Sequence, residues 1–348
     1  MAVRHRYLVT GAQGFVGHYL IHCLLSRTEE STILGIGRSS QRDSHFLRPL
    51  TCTAKEGVPL PEPLRSLRSP RYSYLSVDLL SDKLLEVVRQ FRPTAVIHLA
   101  ALLRGVSDEL ILLNNAQSTE SLLKTLLTSE SKPEMFLLAS SGGVYGRQYV
   151  QPISEFAELA PMDDYAKSKL AAESMVQRFA ERSGTRVAVA RIFNVLGPGQ
   201  DELHLGGRLV AQIGAILSRT SPEVIRVGSL GSTRDFLDVR DVSTALALIL
   251  EHNREGIYNV GSGVETRIAD LVKLFLESAE LQDVARIENN PDVIDYIPRH
   301  VASVQRIAAI GFKPTRQLAL TCCEMLECYR LLHGQDKLLS VEDSALIG

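Results

Sequence analysis

Short apolar, often β-branched runs alternate along the first half of the chain with longer segments whose apolar residues recur every three or four positions. "RYLVT" leads into such a segment over 15–27, "STILGIG" precedes one over 79–91, and "AVIHLA" one over 108–129. "EMFLLAS", a helix from about Tyr165 to Ser183, and "RVAVARI" continue the series. Short runs that are apolar throughout read as strands covered on both faces, and the 3.6-residue period reads as the helices that cover them. The alternation predicts an α/β fold, a Rossmann-type doubly wound parallel sheet made of right-handed βαβ units. A stretch from about Ser39 to Ser73, rich in Pro, Arg and Ser, interrupts the rhythm and predicts a long, partly mobile insertion after the second strand.

Past "FNVLGPGQ" the alternation gives way to helical segments near 207–219, 239–252 and 267–279, mixed with short strands such as "EVIRVG" and "GIYNVG". This predicts a smaller C-terminal lobe, with some elements returning to the sheet. "RDVSTALALIL" reads as an amphipathic helix packed on the core, and "KLLSVEDSALIG" as a loosely held tail.

The 348 residues are 45% hydrophobic and carry a formal net charge of −2. Such a chain can bury a sizeable core, and its lack of excess basic charge argues against nucleic acid as a partner. Five cysteines without metal-like spacing suit a reducing cytoplasm rather than a disulfide scaffold. The apolar run after "MAVRHR" is too short for a secretory segment, and no 18-residue uncharged apolar run follows. A soluble, cytoplasmic protein that does not enter a membrane is expected.

"YLVTGAQGFVG" sets Gly11, Gly14 and Gly17 between a strand and a helix. Glycines there permit a tight turn and let the backbone approach a pyrophosphate, whose charge suits a helix N-terminus. The second strand ends in Gly37, Arg38 and Ser39 rather than in the carboxylate that would bind a ribose 2′-hydroxyl. A cation and a hydroxyl suit a 2′-phosphate, which favours NADP, with NAD left possible. Asp78 follows the next strand, where it could meet the adenine amine or cap a helix. The expected organisation is a dinucleotide-binding domain over 1–195 with contributions from about 234–262, a mainly substrate-binding lobe over 196–330, and a tail over 331–348.

Tyr165 and Lys169 in "YAKSK" share one face of a helix. An ammonium near a phenol lowers the phenol's pKa, so Tyr165 is a candidate proton donor or acceptor for carbonyl–alcohol interconversion. Ser141, in "SSGGVYG", can add a hydrogen bond to the same oxygen.

With "TGAQGFVG", "VIHLAA", "SSGGVYG", "YAKSK", "RIFNVLGPGQ" and "RDFLDVRDV" in this order, roughly residues 5–315 resemble the extended short-chain dehydrogenases/reductases, in their nucleotide-sugar branch. The resemblance implies that the backbone around Gly14, Phe15 and Val16 binds pyrophosphate, and that Asp78 and Leu79 lie by the adenine. It further implies that Leu99, Ala100 and Ala101 pass under the cofactor, and that Asn115 matches the family's asparagine in the following helix. Tyr165 is then the catalytic acid/base, Lys169 holds the nicotinamide ribose, and Ser141 orients the substrate oxygen. Asn194 and Arg234 match positions that contact a sugar-nucleotide diphosphate. The resemblance also implies a homodimer, built on the helices near 108–129 and 165–183.

Dehydratases of this branch typically carry carboxylates at the positions of Gly142 and Gly143, and a glycine cannot transfer a proton. That leaves 4-epimerases, which retain NAD, and 4-ketoreductases, which consume NAD(P)H, ahead of dehydratases as a third reading. The Gly-Arg-Ser strand end and the resemblance of "RIFNVLGPGQ" and "TRDFLDVRDV" to GDP-4-keto-6-deoxy-mannose reductases favour reduction, with hydride passing to C4 as Tyr165 protonates the oxygen. An Arg that the family often uses to bind the nucleotide matches "NPDV", where Asn290 stands instead, so Arg208 and Arg299 are candidates to take its place.

Overall fold

The computed structural model describes residues 5–27, 29–41, 60–65, 67, 69–103, 107–289 and 296–332. Its first half runs β1 (Arg6–Thr10), α1 (Phe15–Arg27), β2 (Thr32–Gly37), α2 (Glu62–Arg65), β3 (Tyr72–Ser76), α3 (Lys83–Phe91), β4 (Ala95–His98), α4 (Asp108–Thr128), β5 (Met135–Ser141), α5 (Asp164–Ser183) and β6 (Arg186–Ile192). There follow β7 (Asn194–Leu196), α6 (Leu205–Leu217), β8 (Val224–Val227), β9 (Thr233–Asp238), α7 (Val239–Glu251) and β10 (Gly256–Val260). The remainder is β11 (Glu265–Arg267), α8 (Ile268–Ser278), β12 (Arg286–Asn289), β13 (Arg299–His300), α9 (Gln305–Ala308) and α10 (Leu318–Leu332).

Seven strands make one parallel sheet in the order β10-β6-β5-β4-β1-β2-β3. The apolar runs pack as their composition requires. On β5, Met135 and Leu137 join the cluster beneath α1 and α7, while Phe136 and Leu138 join the opposite cluster beneath α3, α4 and α5. All four are at most 2% exposed, and full burial of such a side chain is worth about 1.5–3 kcal/mol. "RDVSTALALIL" becomes α7 on this sheet, and "GIYNVG" supplies its edge strand β10.

The smaller lobe is built around β9, which pairs with β7, β11 and β13, and around the β8–β12 pair. Leu209 and Ile213 of α6, Leu271 and Phe275 of α8, and Met325 of α10 share its core. Two expectations need correction. The helix foreseen from 79 begins at Lys83, because Asp78 Oδ1 accepts the Leu80 N–H at 2.9 Å and holds a turn there. The insertion is not loose to its end: Leu60 and Leu64 are 1% exposed in the lobe's core, and β3 starts at Tyr72. Residues 42–59 of that insertion, Asn290, and the tail from 333 lie outside the described residues.

Candidate active site

A cleft of about 990 Å³ opens at the C-terminal ends of the parallel strands, between the sheet and the smaller lobe. Its floor is the turn after β1. Gly11 has φ +70°, and a Cβ there would lie 2.8 Å from the Ala100 nitrogen; a Cβ on Gly17 would lie 2.4 Å from the Gly11 oxygen. Only glycine fits, and the result is a bare backbone cradle opening on the first turn of α1, with Gly14, Phe15 and Val16 on its wall. The first N–H groups of a helix have no partner within it, so this cradle fits a dinucleotide pyrophosphate.

Arg38 and Ser39 line the same cleft beyond β2. β3 holds them in place: Tyr74 Oη donates to the Ser39 carbonyl at 2.8 Å and Ser76 Oγ to the Arg38 carbonyl at 3.2 Å. Arg38 is exposed at the rim, and no acidic residue ends β2. Asp78 and Leu79 line the adjoining wall, as do Leu99, Ala100 and Ala101, whose loop is tied down by N–H bonds from Leu99 to the Thr10 carbonyl (3.3 Å) and from Ala100 to Thr10 Oγ1 (3.2 Å). Asn115, expected beside the cofactor, stands behind this wall. Its Oδ1 accepts the Leu102 N–H at 2.7 Å, and its Nδ2 donates to the Leu102 carbonyl (2.9 Å) and Ser168 Oγ (3.0 Å), so both its donors are committed to propping the loop against α5.

Ser141, Tyr165 and Lys169 meet on one wall. Ser141 ends β5, and its Oγ accepts the Gly143 N–H at 3.1 Å, capping a short 3-10 turn over Gly142–Tyr145. Asp163 caps α5 by accepting the Ala166 N–H at 2.7 Å, which sets Tyr165 in the first helical turn. Lys169, one turn on, is buried; its Nζ donates to the Ala139 carbonyl at 2.8 Å and lies 5.7 Å from the centre of the Tyr165 ring. Burial draws its pKa down to about 8, against the opposing pull of the Glu173 carboxylate. An ammonium held under a phenol makes the phenol a stronger acid, able to give its proton to a ketone oxygen or, as phenolate, to take one from an alcohol.

The lobe supplies the other wall. Asn194 lines the cleft and its Nδ2 donates to the Asp235 carbonyl at 3.1 Å. Arg234 also lines it, steadied by bonds from Nη1 to the Thr233 (2.9 Å) and Ile297 (2.7 Å) carbonyls, and Arg208 is exposed at its edge. Arg299 is a correction. Its Nε and Nη2 grip Glu265 at 2.9 and 2.6 Å on the outer surface, and it takes no part in the cleft.

The neighbouring His300, which the motifs did not suggest, is the side chain that reaches in. It is buried, lines the cleft, lies 3.1 Å through Nε2 from the Gly142 carbonyl and sits with its ring centre 4.7 Å from that of Phe193. Burial, and then the nearby Arg234, lower its pKa to about 4. A neutral ring donating from Nε2 to a carbonyl leaves Nδ1 as an acceptor. The segment between Gly142 and His300 spans so much chain that no local pattern could have paired them. Among the described residues, the carboxylates on the cleft are Asp78, Asp163 and Asp201. Each serves its own segment; Asp201 accepts the Leu203 N–H at 3.1 Å and lies 2.8 Å from His204 Nδ1.

The model of the NAD dependent epimerase/dehydratase family matches residues 7–261. The GDP-6-deoxy-D-mannose reductase of Pseudomonas aeruginosa is 37% identical over 229 residues, which is 62% of this chain and 73% of that protein. The structure of RMD from Pseudomonas aeruginosa complexed with NADPH superposes with a TM-score of 0.74 at 28% identity, covering 94% of this chain and 99% of that one. The Thermus thermophilus UDP-glucose 4-epimerase complex with NAD superposes with a TM-score of 0.73 at 27% identity, covering 93% and 99%.

Proposed function

The chain belongs to the NAD dependent epimerase/dehydratase family, and from that premise we propose that it is an NADPH-dependent 4-ketoreductase of a nucleotide-activated 6-deoxy-hexose, of the GDP-4-keto-6-deoxy-mannose type. The observation that carries the reading is the wall around Tyr165. Ser141, Tyr165 and Lys169 stand together, while the position after Ser141 is a glycine with His300 and Phe193 packed where a side chain would go. Such a wall can deliver a proton to a carbonyl oxygen, while among the described residues its carboxylate, Asp163, is taken up in capping α5 rather than placed to expel a hydroxyl. Arg38 at the rim suits a 2′-phosphate, and the similarity to the Pseudomonas reductase points the same way.

In this reading NADPH, when bound, supplies hydride to C4 of the sugar. Ser141 Oγ and Tyr165 Oη bind the ketone oxygen; the phenol gives up its proton as the oxygen gains charge, and Lys169 stabilises the resulting phenolate. Asn194, Arg234 and Arg208 hold the diphosphate and nucleotide end, and the glycine turn, Asp78 and Leu79 the dinucleotide. The sheet with α7 and β10 serves the cofactor and the remaining lobe serves the substrate. Half-exposed Leu110 and Leu113 on α4 offer an apolar face for pairing two copies, which light scattering would test.

Purified protein incubated with GDP-4-keto-6-deoxy-mannose and NADPH should consume one NADPH per sugar reduced. Tyr165→Phe should lower that rate by on the order of 10²-fold or more with NADPH binding retained. Protein that arrives with tightly held NAD and interconverts 4-epimers without net cofactor change overturns the reading in favour of a 4-epimerase, the alternative that the likeness to the Thermus enzyme supports.

A further inference from the structure

Behind the Ser141 wall lies a buried ion pair to which the reaction above gives no part. Glu173 and Arg191 have side chains only 8% and 2% exposed and meet at 2.7 Å through Oε2 and Nη2. Glu173 stands one turn past Lys169 on α5, so Tyr165, Lys169 and Glu173 form one stripe. Its Oε1 accepts the Ser140 hydroxyl at 2.5 Å and Arg191 Nε at 3.1 Å. Lys169 Nζ, meanwhile, holds the carbonyl of Ala139 at 2.8 Å. Two successive turns of α5 thus grip two successive residues of β5, and the next residue is Ser141.

The pair is also oriented. Its carboxylate end faces α5, whereas the far edge of the guanidinium donates from Nη1 to Tyr145 Oη at 3.0 Å and to the Glu155 carbonyl at 3.2 Å. Among the described residues, the titratable groups around Lys169 are Tyr165 and Glu173 on its own helix, His98 from β4, and Arg191 from β6 behind Glu173. β5 adds only the Ala139 carbonyl and the Ser140 hydroxyl. His98 is fully buried with its pKa lowered to about 3, so it is neutral and leaves Glu173 as the counter-charge. A buried ion pair kept for stability alone is often replaceable by apolar side chains. This one has a charged neighbour to serve.

We propose that Glu173, fixed by Arg191, is a positioning residue that keeps Lys169 in its ammonium form beneath Tyr165 and sets the end of β5 so that Ser141 faces the reacting oxygen. The inference rests on the reading of Tyr165 as the acid/base. It does not depend on which sugar nucleotide reacts.

Its test is the titration of Tyr165 itself, followed as phenolate absorbance in the near ultraviolet. The chain has 10 tyrosines and no tryptophan, and subtracting the Tyr165→Phe protein isolates the signal. Glu173→Gln alone would leave Arg191 buried without its counter-charge, so the deciding variant is the double replacement Glu173→Gln/Arg191→Gln. Glu173→Asp is the second variant; it keeps a charge for Arg191 but withdraws it from Lys169 and Ser140. In the double variant Lys169 should lose its proton at lower pH, and the Tyr165 phenolate signal should move up by on the order of one pH unit. Glu173→Asp should shift it the same way by less. A phenolate curve that overlays the wild type in either folded variant overturns the proposal and leaves the pair purely structural. If the wild type fails to oxidise NADPH with a 4-keto sugar nucleotide while the phenolate curve moves as expected, the proposed reaction falls and the role of Glu173 stands.

Discussion

A Cβ at position 142 would sit 3.0 Å from His300 Cε1 and 3.1 Å from Phe193, so both rings would have to give by a few tenths of an ångström to admit it. The glycine therefore does more than omit a carboxylate; it leaves His300 and Phe193 packed close against the place where one would enter. Forcing a side chain into a packed site typically costs about 1–3 kcal/mol. Gly142→Glu should accordingly lower the melting temperature and, if the proposed reduction is the reaction, its rate, without producing any dehydrated sugar, as mass spectrometry of the products would show. At Lys169, activity and stability respond to pH in opposite senses. Its pKa is about 8 when folded, against 10.5 for the free side chain. Below about 8 the lysine is charged in both states, and its burial counts fully against folding. Between about 8 and 10.5 only the unfolded chain holds the proton, so this group's contribution to stability rises with pH. In the proposed reaction turnover uses the ammonium and should fall through about 8. A pH–rate profile beside urea unfolding of wild type and Lys169→Met would separate the two, since the variant should lose the stability slope.

The strands and helices were legible in the sequence wherever both faces of an element are used uniformly. β5 reads as one apolar block because helices cover both its sides, and α5 shows Tyr165 and Lys169 on one stripe; Glu173 at the next turn gained meaning only from its contacts with Arg191 and Ser140. β13 was not legible. Adjacent residues of an extended strand point to opposite faces, so Arg299 turns outward to Glu265 while His300 turns into the cleft; choosing by charge alone took the wrong neighbour. His98, at the end of β4, shows how such polar residues tie elements together. Thr119 Oγ1 gives its proton to the Asn115 carbonyl at 2.8 Å, so it must accept from His98 Nε2 at 3.0 Å. Nδ1 then accepts from Thr10 on β1 at 2.7 Å. Burial, aided by the charge of Lys169, lowers the pKa of this imidazole from 6.5 to about 3. The unfolded chain takes up the proton first, so the stability that His98 contributes is complete above about 6.5 and is lost as pH falls below it. The rate of loss is about 1.4 kcal/mol per pH unit. Urea melts between pH 6.5 and pH 4 should show that slope, and His98→Gln should remove this share of it.

At the scale of the molecule, the order of motifs along the chain sufficed to foresee a parallel sheet with helices on both faces, because each motif sits at a strand end and strand ends converge on one edge of a parallel sheet. What joins the sheet to the smaller lobe was hidden, since it depends on side chains brought together from distant segments. Arg240 is the plainest instance. It begins α7, which lies on the sheet, yet its guanidinium binds Asp238 at the end of β9 (2.6 Å) and Glu324 on α10 in the lobe. Thr321 Oγ1, also on α10, donates to Asp238 Oδ2 at 2.7 Å. The Asp238 side chain is 1% exposed, so losing its cation would leave a buried carboxylate with hydrogen bonds but no counter-charge. Arg240→Met should therefore destabilise the protein by on the order of 2–3 kcal/mol, less than for a fully buried pair because the arginine itself is 26% exposed. The loss should be felt first where α10 meets the rest, as faster hydrogen exchange over 318–332 than over the central sheet. Among the described residues the latch's ion pairs and hydrogen bonds run to Asp238, Glu324 and Thr321 rather than to the glycine turn or Arg38, so the Kd for NADPH should stay within about twofold of wild type, a difference below about 0.4 kcal/mol. A variant that loses NADPH affinity in step with stability would instead mean that sheet and lobe unfold as one unit.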